Sequence, residues 1–204
     1  MIVPNSAQAR LLAAKTIRGG GLIAFRTDTF YGLGADPLNK SAIHDIRELK
    51  GREEQKPILL VISDPERVDD FFAYRSKQLD EVMRQHWPGP LTLVGPARPE
   101  LPVELTSGRG TIGLRLPADE DLRAFVRACG GALTATSANP SGSPPPQSAK
   151  DVERYFPKGI SLIIDSGTSR LTEPSTVLDL SGERPRLLRE GVIKQAALAD
   201  ILQL

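Results

Sequence analysis

Thr134-Ala135-Thr136-Ser137-Ala138-Asn139-Pro140-Ser141-Gly142 ends an apolar strand in small hydroxyl and amide side chains and runs at once into a Pro/Gly turn. In an open α/β sheet, ligands sit in the crevice outside the carboxyl ends of the strands. A turn there offers backbone N–H groups and short polar side chains to phosphate. The same residues also suit an ordinary turn, because Ser and Asn bond their own backbone and Pro presets φ. The rest of the chain decides between the two.

Outward from this stretch, helix and strand patterns alternate. Apolar periodicity predicts a capped helix from Ser6 to Ile17, closed by Gly19-Gly20-Gly21, and then a buried strand from Leu22 to Phe25. Further helices are expected at Ala42 to Leu49, Lys77 to Gln85, Leu122 to Ala128, Ser148 to Tyr155 and Gln195 to Leu202. Strands are expected at Ile58 to Ile62, Leu91 to Val94, Thr111 to Leu116, Leu133 to Thr136, Leu162 to Asp165 and Thr176 to Leu180. The regions 109–117 and 175–188 read as hairpins. The fold class is therefore α/β, a mixed, twisted open sheet with helices packed on it. Residues 1–204 read as a single domain without internal repeats. The Pro/Gly/Ser run from Pro140 to Ser148 reads as an active-site loop rather than a linker, since strands of the same style continue on both sides.

Composition narrows the function classes. The chain has 26 Lys and Arg against 25 Asp and Glu, so nothing global draws it to nucleic acid, and any basic surface is a local patch. The lone Cys129 has no disulfide or metal-knuckle partner and is read as a core filler, which fits a reducing compartment. No segment approaches the roughly 20 apolar residues of a membrane span, and the opening Met1-Ile2-Val3-Pro4-Asn5 lacks signal-peptide character. A cytoplasmic protein is expected. His44 and His86 lie far apart without ligating neighbours, which argues against a metal cluster or a Ser-His-Asp triad.

The polar residues at strand ends carry the chemistry. After the strand ending at Phe25 come Arg26-Thr27-Asp28-Thr29-Phe30-Tyr31-Gly32-Leu33-Gly34, with hydroxyls, an aromatic ring and glycines that permit close backbone approach. Lys50, Arg52 and Lys56 converge on a strand entrance, where a point charge and a planar guanidinium suit polyphosphate. Arg115 and Arg189 are flanked by apolar strand residues, so each needs a carboxylate partner or an anionic ligand. Ser175 and Thr176 open another strand. The set contains Lys, Arg, Ser, Thr and Asn, with no histidine and no obvious carboxylate pair. It is ill suited to proton shuttling and suited to phosphoryl or nucleotidyl transfer, where positioning and cationic stabilisation dominate. The Walker pattern GxxxxGK(S/T) is absent.

In this order the motifs resemble those of the YrdC-type threonylcarbamoyl-AMP synthases, roughly PT(E/D)TxYGLG, KxR, WPGPLT, GxRxP, SANxSG, STVxD and LRxG. The chain carries Thr27-Asp28-Thr29 with Tyr31 to Gly34, Lys50 with Arg52, Trp87 to Thr92, Gly113 to Pro117, Ser137-Ala138-Asn139, Ser175-Thr176-Val177 and Leu188-Arg189. The resemblance implies a YrdC/RibB-like domain in the short, single-domain form of the family. It implies condensation of L-threonine, bicarbonate and ATP into threonylcarbamoyl-AMP and pyrophosphate, for the t6A modification of tRNA.

By motif position, Thr29, Tyr31, Arg115 and Ser175 are expected around threonine or its carbamate. Lys50, Arg52, Lys56, Ser137, Asn139 and Arg189 are expected on ATP, with Lys50 and Arg52 carrying the catalytic charge. Mg2+ is expected on the phosphates, with no residue assigned as its ligand and no organic cofactor. Other t6A-pathway proteins are expected as transient partners. The chain departs from the pattern at Arg26, Phe30, Lys56 and Val61, where Pro, an aliphatic residue, Asn and in some members His are usual. Lys56 would replace an amide contact to the triphosphate with a charge. The alternative reading is a non-catalytic factor that binds double-stranded RNA or tRNA; a basic stripe extending beyond the pocket would favour it. An aromatic content of 5% gives no stacking platform for it.

Overall fold

A computed structural model describes residues 1–51, 58–169 and 173–202. In chain order the elements are β1 (Ile2–Pro4), α1 (Ala7–Arg18), β2 (Ile23–Arg26), β3 (Tyr31–Gly34), α2 (Lys40–Lys50), β4 (Leu60–Ile62), α3 (Lys77–His86), β5 (Leu91–Pro96) and α4 (Val103–Thr106). They continue with β6 (Thr111–Arg115), α5 (Glu120–Ala128), β7 (Ala132–Thr134), β8 (Thr136–Ser137), α6 (Ala149–Tyr155), β9 (Leu162–Asp165), β10 (Thr176–Asp179), β11 (Arg186–Arg189) and α7 (Ala199–Leu202). Short 3-10 helices occupy Pro65–Asp70 and Gln195–Leu198, so the helix expected from Gln195 begins as a tighter turn.

The expected α/β class with mixed strand directions is found, but the strands form two sheets rather than one. Among the described residues, five strands run in the order β1-β9-β2-β3-β8 and six in the order β11-β10-β5-β6-β4-β7. The hairpin reading holds for β10 and β11, which pair antiparallel. The region around 109–117 instead supplies the single strand β6, which lies antiparallel to β5 and parallel to β4.

Sequence periodicity explains the layers. Side chains alternate across a strand, so Leu60 and Ile62 of β4 enter the larger core with Ala42, Ile43 and Ile46 of α2 and Leu79 and Val82 of α3. Val61 faces the opposite way, into the core formed by α1, α5, β2 and β9. Phe25 and Phe125 meet in that second core with ring centroids 5.4 Å apart. The caps match residue chemistry. Ser6, Asn39, Ser76, Asp119 and Ser148 each accept a backbone N–H in the first turn of α1, α2, α3, α5 and α6 respectively.

The strand expected from Leu133 to Thr136 is split between the sheets. β7 pairs with β4 in the six-stranded sheet, and β8 pairs with β3 in the five-stranded one. Thr134 makes the crossing possible. Its fully buried hydroxyl accepts the Ala35 N–H at 2.8 Å and donates to the Leu33 carbonyl at 3.2 Å. The Ala135 N–H reaches across to the Leu59 carbonyl at 2.8 Å. Residues 132–137 thus stitch the two sheets together and leave Thr136, Ser137 and Asn139 at the seam.

Candidate active site

The seam opens into a cleft of about 290 Å³ lined by Thr29, Tyr31, Lys50, Arg115, Ser137, Asn139, Ser175 and Arg189. These eight predicted residues come from separate elements of both sheets, yet share one wall-to-wall site. Arg52 and Lys56 lie outside the described residues.

Lys50 is delivered by the end of α2. Gly51 takes a left-handed backbone (φ 57°), and its N–H closes on the Arg47 and Glu48 carbonyls, which stops the helix at Lys50. The buried Lys50 ammonium donates to the backbone carbonyl of Ser137 and to that of Asn139, the latter at 2.7 Å. The Lys50 carbonyl in turn accepts the Ser141 N–H at 3.0 Å. Lysine and the Ser-Ala-Asn turn therefore hold each other in place. Asn139 donates its amide to the carbonyls of Pro140 (3.0 Å) and Ser143 (2.7 Å), which fixes the amide plane. Its buried Oδ1 has no donor among the described residues, leaving an oriented acceptor in the lining of the cleft.

The β2–β3 turn presents Thr29. Thr27 Oγ1 accepts the N–H groups of Thr29 and Phe30, both at 3.2 Å, and donates to the Phe30 carbonyl at 2.7 Å. The Thr29 hydroxyl sits 3.1 Å from that of Thr27. The glycines of this motif serve close approach, as expected. A Cβ on Gly34 would come within 2.7 Å of the Phe25 ring. Tyr31 lines the cleft with its buried ring, while its hydroxyl donates to the Gly167 carbonyl at 2.8 Å and accepts the Ser166 N–H at 3.2 Å. Burial raises its pKa, so the phenol stays neutral and acts as a structural strut.

Arg115 and Arg189 complete the site. Arg189, on the edge strand β11, forks onto the Ser175 carbonyl at 3.0 and 2.8 Å and touches the Ser175 hydroxyl at 3.1 Å. That hydroxyl shares a 2.9 Å hydrogen bond with Thr92. Arg115 ends β6 and is buried against Asp28, with which it forms an ion pair. Burial, and then the like charge of Arg189, push the Arg115 guanidinium down to about 10. The group remains cationic at neutral pH. Asp28 is the carboxylate partner that a buried arginine at 115 was expected to need, and no acidic or histidine side chain lines the cleft among the described residues. Thr27, Thr92, Thr136 and Ser141 also line the cleft without having been singled out. Asp28 and Thr92 lie inside the TDT and WPGPLT motifs, which was the available signal.

Outside the cleft, exposed arginines mostly carry acidic partners, as in Arg67–Asp70, Arg84–Glu81, Arg127–Asp64 and Arg154–Asp151. Among the described residues, no His, Cys, Asp and Glu cluster suits a metal ion, and no helix is long and apolar enough to cross a membrane.

The fold is an α/β arrangement of two stitched sheets, with cations and hydroxyls converging on their seam in a cleft chemically suited to small anionic ligands. Residues 15–191 match the Sua5/YciO/YrdC family, described as telomere recombination, and the chain belongs to that family. It is 39% identical over 180 residues to the threonylcarbamoyl-AMP synthase of Pyrococcus abyssi, covering 88% of this chain and 53% of that protein. It is 39% identical over 165 residues to the enzyme of the same name from Thiobacillus denitrificans, covering 81% of this chain and 87% of the relative. The chain thus spans about half the length of the Pyrococcus relative and most of the Thiobacillus one. Among solved structures, Pyrococcus abyssi Sua5 complexed with L-threonine matches with a TM-score of 0.92 at 35% identity, over 99% of this chain and 59% of that one. Escherichia coli YciO matches with a TM-score of 0.86 at 25% identity, over 99% and 97%.

Proposed function

We propose that this chain is a threonylcarbamoyl-AMP synthase. The observation that carries the reading is the seam cleft itself, in which Lys50, Arg115 and Arg189 stand among the Thr29, Ser137 and Ser175 hydroxyls, with no acidic or histidine side chain in the lining among the described residues. The names of the relatives give the product, threonylcarbamoyl-AMP, and a cationic, hydroxyl-lined cleft suits its formation from threonine, bicarbonate and ATP. Threonine's amine adds to CO2 derived from bicarbonate, giving a carbamate and a released proton. A carbamate oxygen then forms a bond to the α-phosphorus of ATP as the bond to pyrophosphate breaks. The nucleophile belongs to the substrate, so the protein need only hold, orient and balance charge.

On this reading Thr29, Arg115 and Ser175 hold threonine or its carbamate. Lys50, Ser137, Asn139 and Arg189 hold ATP, with Arg52 and Lys56 assigned there by motif position. The described residues offer no metal-binding cluster of their own, so Mg2+ would enter on the triphosphate as part of the substrate. The acidic partners of the exposed arginines support a small anionic ligand over an extended RNA track.

Amino-acid specificity tests the reading. If a buried hydroxyl of the Thr29 and Ser175 cluster bonds the threonine hydroxyl, leaving it unpaired costs about 1 to 3 kcal/mol, or about 5- to 150-fold. Pyrophosphate release should fall in the order threonine, serine, alanine. Equal rates with all three would sink the threonine assignment.

A further inference from the structure

The proposed chemistry poses a sorting problem. One cleft must hold a triphosphate and an amino-acid carboxylate or carbamate, and cations alone attract both. Arg189 and Arg115 are held differently: Arg189 donates to the neutral carbonyl and hydroxyl of Ser175. Arg115 instead donates through Nη2 to the carboxylate of Asp28. The pair is well shielded, with side-chain exposures of 7% for Arg115 and 15% for Asp28. The buried Nε–H of Arg115 has no acceptor among the described residues, so the guanidinium retains a donor for a ligand. The backbone turn that carries Asp28 is fixed, because the Thr27 hydroxyl accepts the N–H groups of Thr29 and Phe30, the two residues that follow Asp28.

We propose that Asp28 is a specificity-determining residue: it offsets the charge of Arg115, so that this end of the cleft accepts a singly charged carboxylate or carbamate and rejects phosphate. The assignment of the two ligands rests on the synthase reading; the sorting of anions does not. A carboxylate at Arg115 meets one cation tempered by one fixed anion. A phosphate dianion would bring twice the charge against the same Asp28 carboxylate. Such like-charge juxtaposition in a shielded site is a means of excluding a wrong ligand.

Inorganic phosphate is the probe. In the wild-type protein it should compete with ATP and leave the KM for threonine unchanged. In Asp28→Asn it should become competitive with threonine, its inhibition constant in that mode falling by about tenfold or more, as expected for removal of one shielded like charge. Asp28→Glu, which keeps the charge, should retain the wild-type resistance to phosphate. A folded Asp28→Asn protein with unchanged phosphate behaviour would overturn the proposal. A measurement without variants guards against misfolding: acetate should shift the Arg115 Nε–H resonance in the wild-type protein and phosphate should not. A phosphate shift as large as that from acetate would equally overturn it. Should the protein make no threonylcarbamoyl-AMP, the synthase reading fails, while direct binding of acetate and phosphate still tests the role of Asp28.

Discussion

Lys50 shows how one side chain serves both structure and site. Its ammonium bridges the Ser137 and Asn139 carbonyls while lining the cleft, so removing it withdraws a charge and loosens the turn that carries two other site residues. Lys50→Ala should reduce pyrophosphate formation by about 100-fold, about 3 kcal/mol of transition-state stabilisation. Lys50→Arg should not restore it, because a planar fork cannot repeat the two-carbonyl grip of a compact ammonium. Near-native turnover in steady-state assays of Lys50→Ala would remove Lys50 from the machinery. Tyr31 illustrates the opposite division: its ring lines the cleft, but its hydroxyl is committed to the turn at Ser166 and Gly167.

Between elements, Asp64 ties the segment after β4 to α5. Its carboxylate meets Arg127 through two bonds, one from Nε at 3.0 Å. The Arg127 bond first, then a bond from Ser63, hold the Asp64 carboxyl down from 3.8 to about 2. A folded-state value below the unfolded one means the stabilisation is complete above about pH 4 and disappears as pH falls towards 2. The pair is partly exposed, so its contribution is about 1 kcal/mol or less. Urea melts of Asp64→Asn and wild type should differ at pH 6 and converge as pH drops through that window; a gap independent of pH would contradict the assignment. The loop from Pro140 to Ser148 belongs to the same scale. It is pinned by the Ser141 N–H on Lys50 and by the Pro146 carbonyl, which accepts the Tyr31 N–H at 3.2 Å, and Ser141 and Gly142 line the cleft. Its amides should exchange more slowly with ATP and threonine bound, since ordering over ligand protects them. Identical exchange in both states would make it a plain connection.

At the scale of the molecule, the cleft exists because residues 132–137 leave one sheet and join another, bringing the ends of α2, β6 and the β10–β11 hairpin to one seam. Much of this was legible in the chain. Helix caps at Ser6 and Ser148, the apolar strands and the small polar residues at strand ends all follow local rules, and those polar residues do meet. The division into two sheets was not legible, because Leu133 to Thr136 reads as one strand and only the distant partners Ala35 and Leu33 of Thr134 reveal the crossing. β3 was hidden for a related reason: Tyr31-Gly32-Leu33-Gly34 has too few side chains for a strand pattern, and Gly34 is there to admit the Phe25 ring. Asp28 escaped notice because its partner Arg115 lies 87 residues away. On the proposed reading, these features form one site that joins a carbamate to the adenylyl group of ATP. The direct test is to supply the purified chain with Mg2+, ATP, L-threonine and carbon-labelled bicarbonate. The account predicts labelled threonylcarbamoyl-AMP and pyrophosphate in equal amounts, neither forming when threonine or bicarbonate is left out; pyrophosphate released without threonine, or no labelled adenylate at all, would contradict it.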